Sequence, residues 1–179
     1  HIVGIAGFTD ALPGETICCP DHLDALPPIA VDEPTIAMEF IANSGPFAGL
    51  DGKYVTSRNL RDRLMKELQS NVSLRVDATE TSDVFSVAGR GELHLGILIE
   101  TMRREGYEVM VSMPRVIIRD GDNGPEEPYE EVTIDCGDPF SGSVIADLTN
   151  RGGELMDMRS DGETVRLEFR MPSRGLIGY

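Results

Sequence analysis

The sequence predicts an α+β protein of two β-α-β-β-α-β units, the second truncated, preceded by a short strand pair. Three observations carry that expectation. Short runs such as Ile36–Ala42, Val84–Ala88 and Val165–Phe169 alternate apolar and polar residues, the period of half-buried strands. Between such runs, leucines recur at helical spacing, as at Leu60, Leu64 and Leu68. Two stretches, Ala88-Gly-Arg-Gly-Glu-Leu-His-Leu95 and Met171-Pro-Ser-Arg-Gly-Leu-Ile-Gly178, put an Arg-Gly step where a strand-like run ends and a crossover helix should begin. After the first, a helix and a closing strand follow. After the second, the chain reaches Tyr179, so the sequence reads as a piece of a larger protein cut inside its second unit.

Residues 1–19 read as strand, turn, strand, with Leu12-Pro13-Gly14-Glu15 as the turn. A lone hairpin does not hold itself together, so the pair reads as the tail of a preceding β-domain. Residues 20–33, with Pro27-Pro28, are a linker by composition. In the first unit, 34–119, Ile36 to Ala42 form a strand and Ser57 caps a helix closing near Asn71. Leu74, Val76 and Ala78 pair through the Glu80–Asp83 turn with Val84 to Ala88. Leu93, Ile97 and Met102, with Leu98 beside them, mark a second helix ended by Gly106. Tyr107, Val109 and Val111 start the last strand, continuing from Arg115 to Arg119 after a kink at Pro114. Residues 120–128 read as a second linker. In the second unit, 129–179, Val132 and Ile134 lie on a strand and Gly142 to Asn150 form a helix. Leu155 to Met158 then pair with Val165, Leu167 and Phe169. The order is ferredoxin-like, which places both helices of a complete unit on one face of an antiparallel sheet.

The formal charge is −15, from 16 Lys and Arg against 31 Asp and Glu. Bulk electrostatics of that sign repel a polyanion, so nucleic-acid contact has to rest on local basic clusters acting within a Debye length of roughly 10 Å. Arg58, Arg61, Arg63 and Lys66 form one cluster, and Arg103 with Arg104 another. Their plainer reading is a solvated helix face ion-paired to Asp62, Glu67 and Glu100. No apolar stretch approaches the roughly 20 residues that span a bilayer, and no charged n-region precedes an apolar one, so a soluble, intracellular, membrane-free protein is expected. The three cysteines, Cys18, Cys19 and Cys136, are odd in number and fit a reducing compartment. Cys18, Cys19 and His22 lack the second ligand pair that a zinc site needs, so no metal is expected.

Catalytic patterns are also missing. Gly45, Gly49 and Gly52-Lys53 suggest a phosphate loop, but the pattern G-x-x-x-x-G-K-[ST] needs Gly where Phe47 stands and Ser or Thr where Tyr54 stands. Neither an N-K-x-D motif nor a G-x-S-x-G nucleophile elbow occurs. His94 has no partner nucleophile nearby in sequence and reads as a packing residue rather than a general base. Glu130 and Glu131 are adjacent on a strand and face opposite sides. The fragment is therefore expected to have no catalytic residues.

The stretches Pro34 to Phe40, Ser44 to Gly49, Gly52-Lys-Tyr-Val-Thr-Ser-Arg58, Gly89-Arg-Gly-Glu-Leu-His-Leu95, Met102-Arg-Arg-Glu-Gly106, Glu127-Pro-Tyr-Glu130 and Pro172-Ser-Arg-Gly-Leu-Ile-Gly178 resemble the BipA/TypA translational GTPases. These are relatives of elongation factor G and of LepA. The Gly-Glu-Leu-His-Leu stretch is shared across the elongation-factor-G group; the Val-Thr-Ser-Arg and Pro-Ser-Arg-Gly-Leu-Ile-Gly stretches point to the BipA/TypA branch. The match is loosest over Asp135 to Ser141.

The resemblance implies that residues 1–19 end a β-barrel second domain, 34–119 form the third domain and 129–179 part of the fifth. It implies a cytoplasmic, ribosome-associated parent acting in ribosome assembly, translation and stress or virulence regulation. Its partners would be the ribosome, through rRNA and ribosomal proteins, and its own GTPase and C-terminal domains. GTP and Mg would sit in the GTPase domain, with no cofactor in this fragment. By the same resemblance, Arg90, Glu92 and His94 are candidates to face the GTPase domain, and Lys53, Arg58, Arg61 and Arg174 to contact rRNA or ribosomal protein. Arg90 and Arg174 have a plainer reading, in which each orders its own strand-to-helix turn.

The alternative function is a stand-alone RNA-binding ferredoxin-like module. It would need sheet-face aromatics on the central strands, where the third strand offers only Phe85. A small acylphosphatase-like enzyme would need an Arg in the loop after the first strand, and residues 43–52 contain none.

Overall fold

A computed structural model describes residues 2–7, 13–27 and 31–179. It divides into two units, residues His1–Pro34 with Glu39–Ser112 and residues Thr35–Met38 with Met113–Tyr179. The described residues up to 27 carry no strand, only an isolated bridge between Cys19 and His22. The strand-like runs at 2–6 and 16–18 therefore do not form the expected hairpin, and most of the segment joining them, 8–12, lies outside the described residues. Ile2, Val3 and Ile5 project into solvent with no sheet to join.

Unit 1 contains β1 (Ile36–Ala42, from Glu39 onward), α1 (Ser57–Leu68), β2 (Arg75–Ala78), β3 (Val84–Gly89), α2 (Glu92–Glu105) and β4 (Val109–Val111). The strands lie in the order β2-β3-β1-β4, with β1 and β4 antiparallel through Phe40 opposite Val111, and β2 and β3 antiparallel through Val76 opposite Val87. This is the ferredoxin-like arrangement expected from the sequence. Its buried residues include Phe40, Leu60, Leu64, Val87, Leu95 and Met102.

Two local expectations shift. The cap of α1 is Thr56, whose Oγ1 accepts from the Asn59 N–H at 3.3 Å, so Ser57 is already helical. In α2 the inward stripe is Leu95, Leu98 and Met102, while Leu93 and Ile97 face solvent at 77% and 58% exposure. Both phases fit a 3.6-residue period, and only packing against the sheet selects one. Gly106 ends α2 as expected, in the left-handed region at φ 91°.

Unit 2 contains β5 (Arg115–Val116), β6 (Arg119–Gly121), β7 (Gly124–Glu126), β8 (Tyr129–Gly137), α3 (Asp138–Asn150), β9 (Glu154–Ser160), β10 (Thr164–Pro172) and α4 (Ser173–Leu176). Ile36 and Ala37 at the start of β1 pair with Val116 and Arg115. The main sheet runs β8-β10-β9, both pairs antiparallel, the first three strands of a second ferredoxin-like order. Leu148, Val165, Leu167, Phe169 and Met171 form its core, with Val132, Ile134 and Leu176 packed against them. Residues 120–128 fall largely in the β6–β7 hairpin, reversed at Asp122-Asn123 with Gly124 at φ 119°. Helix α3 starts four residues before the expected Gly142, because Asp138-Pro139 opens it directly from β8 with Pro in the first turn.

Candidate functional site

The first group of predicted site residues lies on α1. With Thr56 as cap, the helix turns Leu60, Arg63 and Leu64 inward and Arg58 and Arg61 outward. The Arg58 side chain is 89% exposed and only loosely paired, its Nε 3.9 Å from Asp62. Lys53 is exposed just before the helix, its Nζ 4.7 Å from the centre of the Tyr54 ring. Tyr54 stacks on Tyr107 with centroids 4.6 Å apart, and burial pushes the Tyr107 hydroxyl up. Lys53, Arg58 and Arg61 are thus all exposed, the two arginines one turn apart on α1.

Arg63, in the same sequence cluster, does something else. It is 8% exposed; its Nε and Nη2 donate to the two carboxylate oxygens of Glu105, and its Nη1 donates to Glu67 at 2.8 Å. The i,i+4 partner Glu67 is visible in the sequence, but Glu105 stands 42 residues away. From Glu67 the network continues: Asn71 Nδ2 donates to Glu67 Oε1 at 3.2 Å and lies 3.0 Å from His94 Nε2. Burial pushes the Glu67 carboxyl up, and the hydrogen bonds from Arg63 and Asn71 with the Arg63 charge more than offset it, leaving it below its ordinary value.

The structure brings Arg90, Glu92 and His94 to the β3–α2 turn. Arg90 and Glu92 are exposed, whereas His94 is half-buried and directed toward the end of α1. Burial and the Arg90 charge hold the His94 imidazole below its usual value, with Glu67 opposing in part, so it is neutral at physiological pH. The Arg90 N–H lies 3.4 Å from His94 Nδ1. Gly89 permits this close turn, since a Cβ there would fall 2.9 Å from both His94 Nδ1 and Leu95 Cδ2.

The glycine-rich loop 43–52 wraps a carboxylate. Glu108 accepts from the N–H groups of Gly49 (2.8 Å), Asp51 (2.6 Å) and Gly52 (2.6 Å) and from Asn43 Nδ2 (3.1 Å). With those donors engaged, the loop does not fit a nucleotide phosphate. Hydrogen bonds from Gly49 and Gly52, then Asp51 and Asn43, hold the Glu108 carboxyl below the usual range. A carboxyl depressed in the folded state stabilises above its ordinary value of about 4.3, and that stabilisation is lost as pH falls through the folded value. The amide shifts of Gly49, Asp51 and Gly52 should therefore hold steady from neutral pH down through the ordinary carboxylate range and move together only below it. In Glu108→Gln these amides should exchange roughly tenfold faster with hydrogen at neutral pH. Unchanged exchange would mean the clasp does not order the loop.

Arg174 lies in unit 2 on α4, exposed and ion-paired to Glu127, a partner 47 residues away that its immediate sequence neighbours conceal. The Glu127 hydrogen bond and charge raise the guanidinium above its ordinary value. The motif around it is fixed from α3: Arg151 Nη1 donates to the carbonyls of Gly175 (3.2 Å) and Ile177 (3.4 Å), and its guanidinium lies 5.2 Å from the Tyr179 ring centre. The Ser173 N–H donates to the Pro128 carbonyl at 3.0 Å. No motif in the sequence signals this role of Arg151.

Among the described residues, no three His, Cys, Asp or Glu side chains converge as a metal set, and no helix is long and apolar enough to cross a membrane. Phe85, the aromatic that a sheet-face RNA reader would present, is 5% exposed.

Residues 125–179 match the family described as elongation factor G C-terminus. The chain is 54% identical over 181 residues to the large ribosomal subunit assembly factor BipA of Synechocystis, covering 100% of this chain and 30% of that protein. The proteins of the same name from Haemophilus influenzae and Bacillus subtilis are 55% and 52% identical, each over 99% of this chain and 29% of the relative. A solved structure from Thermus thermophilus overlays 85% of this chain and 38% of its own, with a TM-score of 0.47 and 14% identity. The chain thus spans about 30% of the length of the curated relatives it matches. Identity above one half, sustained along the whole chain in relatives from three organisms, places this chain in the BipA family.

Proposed function

We propose that this chain is the ribosome-docking and relay part of a BipA-type translational GTPase, working in the cytoplasm on the ribosome while GTP and Mg are held by another part of the same protein. The observation that carries the reading is the match, along essentially all of this chain and about 30% of each relative, to proteins named large ribosomal subunit assembly factor BipA. The geometry supports it in two places. Lys53, Arg58 and Arg61 are exposed cations close in sequence on a chain of charge −15, a local exception of the kind phosphate contact requires. Arg90 and Glu92 stand exposed at the start of α2 and are offered to the GTPase domain, with His94 bracing the turn from behind. Arg174 reaches RNA only by leaving Glu127, so its contribution is conditional.

The test is co-sedimentation of the full-length protein with intact ribosomes and with separated subunits, in GDP and in a non-hydrolysable GTP analogue. The double variant Arg58→Glu, Arg61→Glu should bind at least roughly tenfold more weakly near 0.1 M salt, with a slope of log affinity against log salt shallower by about 0.7–0.9 per lost phosphate contact. Equal binding by the variant removes those two residues from the contact surface. Absence of the parent from the pellet under every nucleotide and salt condition overturns the docking function itself.

A further inference from the structure

Unit 1 also carries a recess whose character is opposite to that of the exposed α1 arginines. Loop 43–52, the second half of α2 and the start of β4 enclose a cavity of about 540 Å³ whose walls include Phe47, Asp51, Ile99, Arg103, Tyr107 and Val109. Phe47 is 73% exposed. Its loop is nevertheless held, by the Glu108 clasp, by Asn43 Oδ1 accepting from the Gly45 N–H at 3.0 Å, and by the Ala48 N–H donating to the Gly45 carbonyl at 3.1 Å. An ordered loop thus holds a phenyl ring out in water at the rim of a recess.

The charges around the recess are unequal. Asp51 is exposed, and its carboxylate makes no hydrogen bond or ion pair among the described residues. Glu108 adds a second negative charge. The cation in the wall, Arg103, is already gripped by Glu100 through two hydrogen bonds of 2.7 and 3.0 Å. The remaining field repels phosphate and attracts a cation. An exposed phenyl ring and a carboxylate without a cation, lining one recess, suit a guanidinium that stacks on the one and pairs with the other, while Ile99, Tyr107 and Val109 receive an aliphatic stem or an apolar neighbour.

We propose that this recess docks an arginine side chain from a basic protein segment, with Phe47 and Asp51 as its two anchors. The inference does not depend on ribosome binding, and it assigns the recess a protein partner, not RNA.

The test is an NMR titration of this 179-residue chain with a capped peptide alternating arginine and leucine, with the same peptide carrying citrulline for arginine, and with a single-stranded RNA oligonucleotide. The arginine peptide should shift amides of the 43–52 loop and of residues 103–109. The citrulline peptide should bind roughly three- to tenfold more weakly, and Phe47→Ala and Asp51→Asn should each weaken the arginine peptide by a similar factor. Both side chains are exposed, so neither substitution removes core packing. Equal binding of the two peptides, indifference to both substitutions, or RNA shifting the same amides would each overturn the proposal. The outcome is separable from docking, which is read with the Arg58, Arg61 variant on ribosomes.

Discussion

Gly175→Val is expected to unfold unit 2. The position has no special φ; its constraint is distance. A Cβ there would lie 2.5 Å from the carbonyl oxygen of Arg151 and 3.0 Å from Met171 Cε. Met171 could yield, being a flexible side chain, but the Arg151 carbonyl belongs to the end of α3 and cannot move alone. Its neighbours are tied, since the N–H groups of Gly152 and Gly153 donate to the carbonyls of Thr149 and Leu148. Overpacking of this kind costs about 1–3 kcal/mol for one added carbon, and valine adds two more on a rigid branch. The core beneath has five fully buried side chains, so a loss of about 3 kcal/mol is a large share of the stability expected of so small a unit. Amides of β8, β9 and β10 should lose protection from hydrogen exchange while those of residues 39–42 and of β4 keep theirs. Gly96→Ala and Gly142→Ala are the controls: an added Cβ at either meets nothing within 4 Å, and both lie in helices, so each should stabilise by up to about 1 kcal/mol. If Gly175→Val retained full protection in β10, the close approach of α4 to α3 would not be structurally required.

The same motif shows what the sequence made legible. Strand-to-helix switches at Ala88 and Met171, alternation in β1, β3 and β10, and the left-handed glycine ending α2 are all local signals, and each maps onto an observed element. Local signals were weaker wherever two answers satisfy one period. Leu93 and Ile97 fit helical spacing as well as Leu95, Leu98 and Met102 do, and Thr56 caps as readily as Ser57. The β6–β7 hairpin reads as linker in the sequence because its strands of three residues are too short for alternation to show.

The site was less legible than the fold, for a different reason. Charge clusters along a sequence give no partner across it. Arg58, Arg61 and Arg63 look alike in a row, yet the helix sends the third inward to Glu105. Arg174 has no acidic residue within five positions, yet it meets Glu127. The glycines of loop 43–52 suggested a bound anion, and the anion in the structure is the protein's own Glu108, supplied from β4's approach. In each case the decisive contact spans more than 40 residues, which no periodicity or motif spacing encodes.

Removing Arg63 should therefore cost more than removing any other arginine of α1. Its guanidinium is the only link among Glu67, Glu105 and the buried face of the helix that the described residues provide, and it is nearly closed off from solvent. Arg63→Ala leaves the Glu67 carboxylate, 22% exposed, without its cation, while Glu105 at 41% can rehydrate. A charge-assisted hydrogen bond is worth roughly 1.5–3 kcal/mol, but the three share one guanidinium and Glu105 is partly exposed, so the expected loss is about that of one such bond, 2–3 kcal/mol in all. Arg63→Met keeps the aliphatic stem and should recover part of that loss, separating packing from charge. Urea unfolding of unit 1 followed at low and at 1 M salt distinguishes the cases. A surface pair would lose most of its effect in high salt, where the Debye length falls to about 3 Å. A buried one keeps it, and the Arg63→Ala deficit should persist. The consequence reaches the β3–α2 turn, because Glu67 also holds Asn71 against His94. With Arg63 gone, the Glu67 charge loses its neutralising cation and should raise the His94 value toward the ordinary one, so that the imidazole takes a proton at higher pH in the variant than in the parent. His94 ring shifts followed from pH 8 to 5 report this directly. A shift to higher pH ties the arginine of α1 to the geometry of Arg90 and Glu92, and identical titration curves would confine its role to the packing of unit 1.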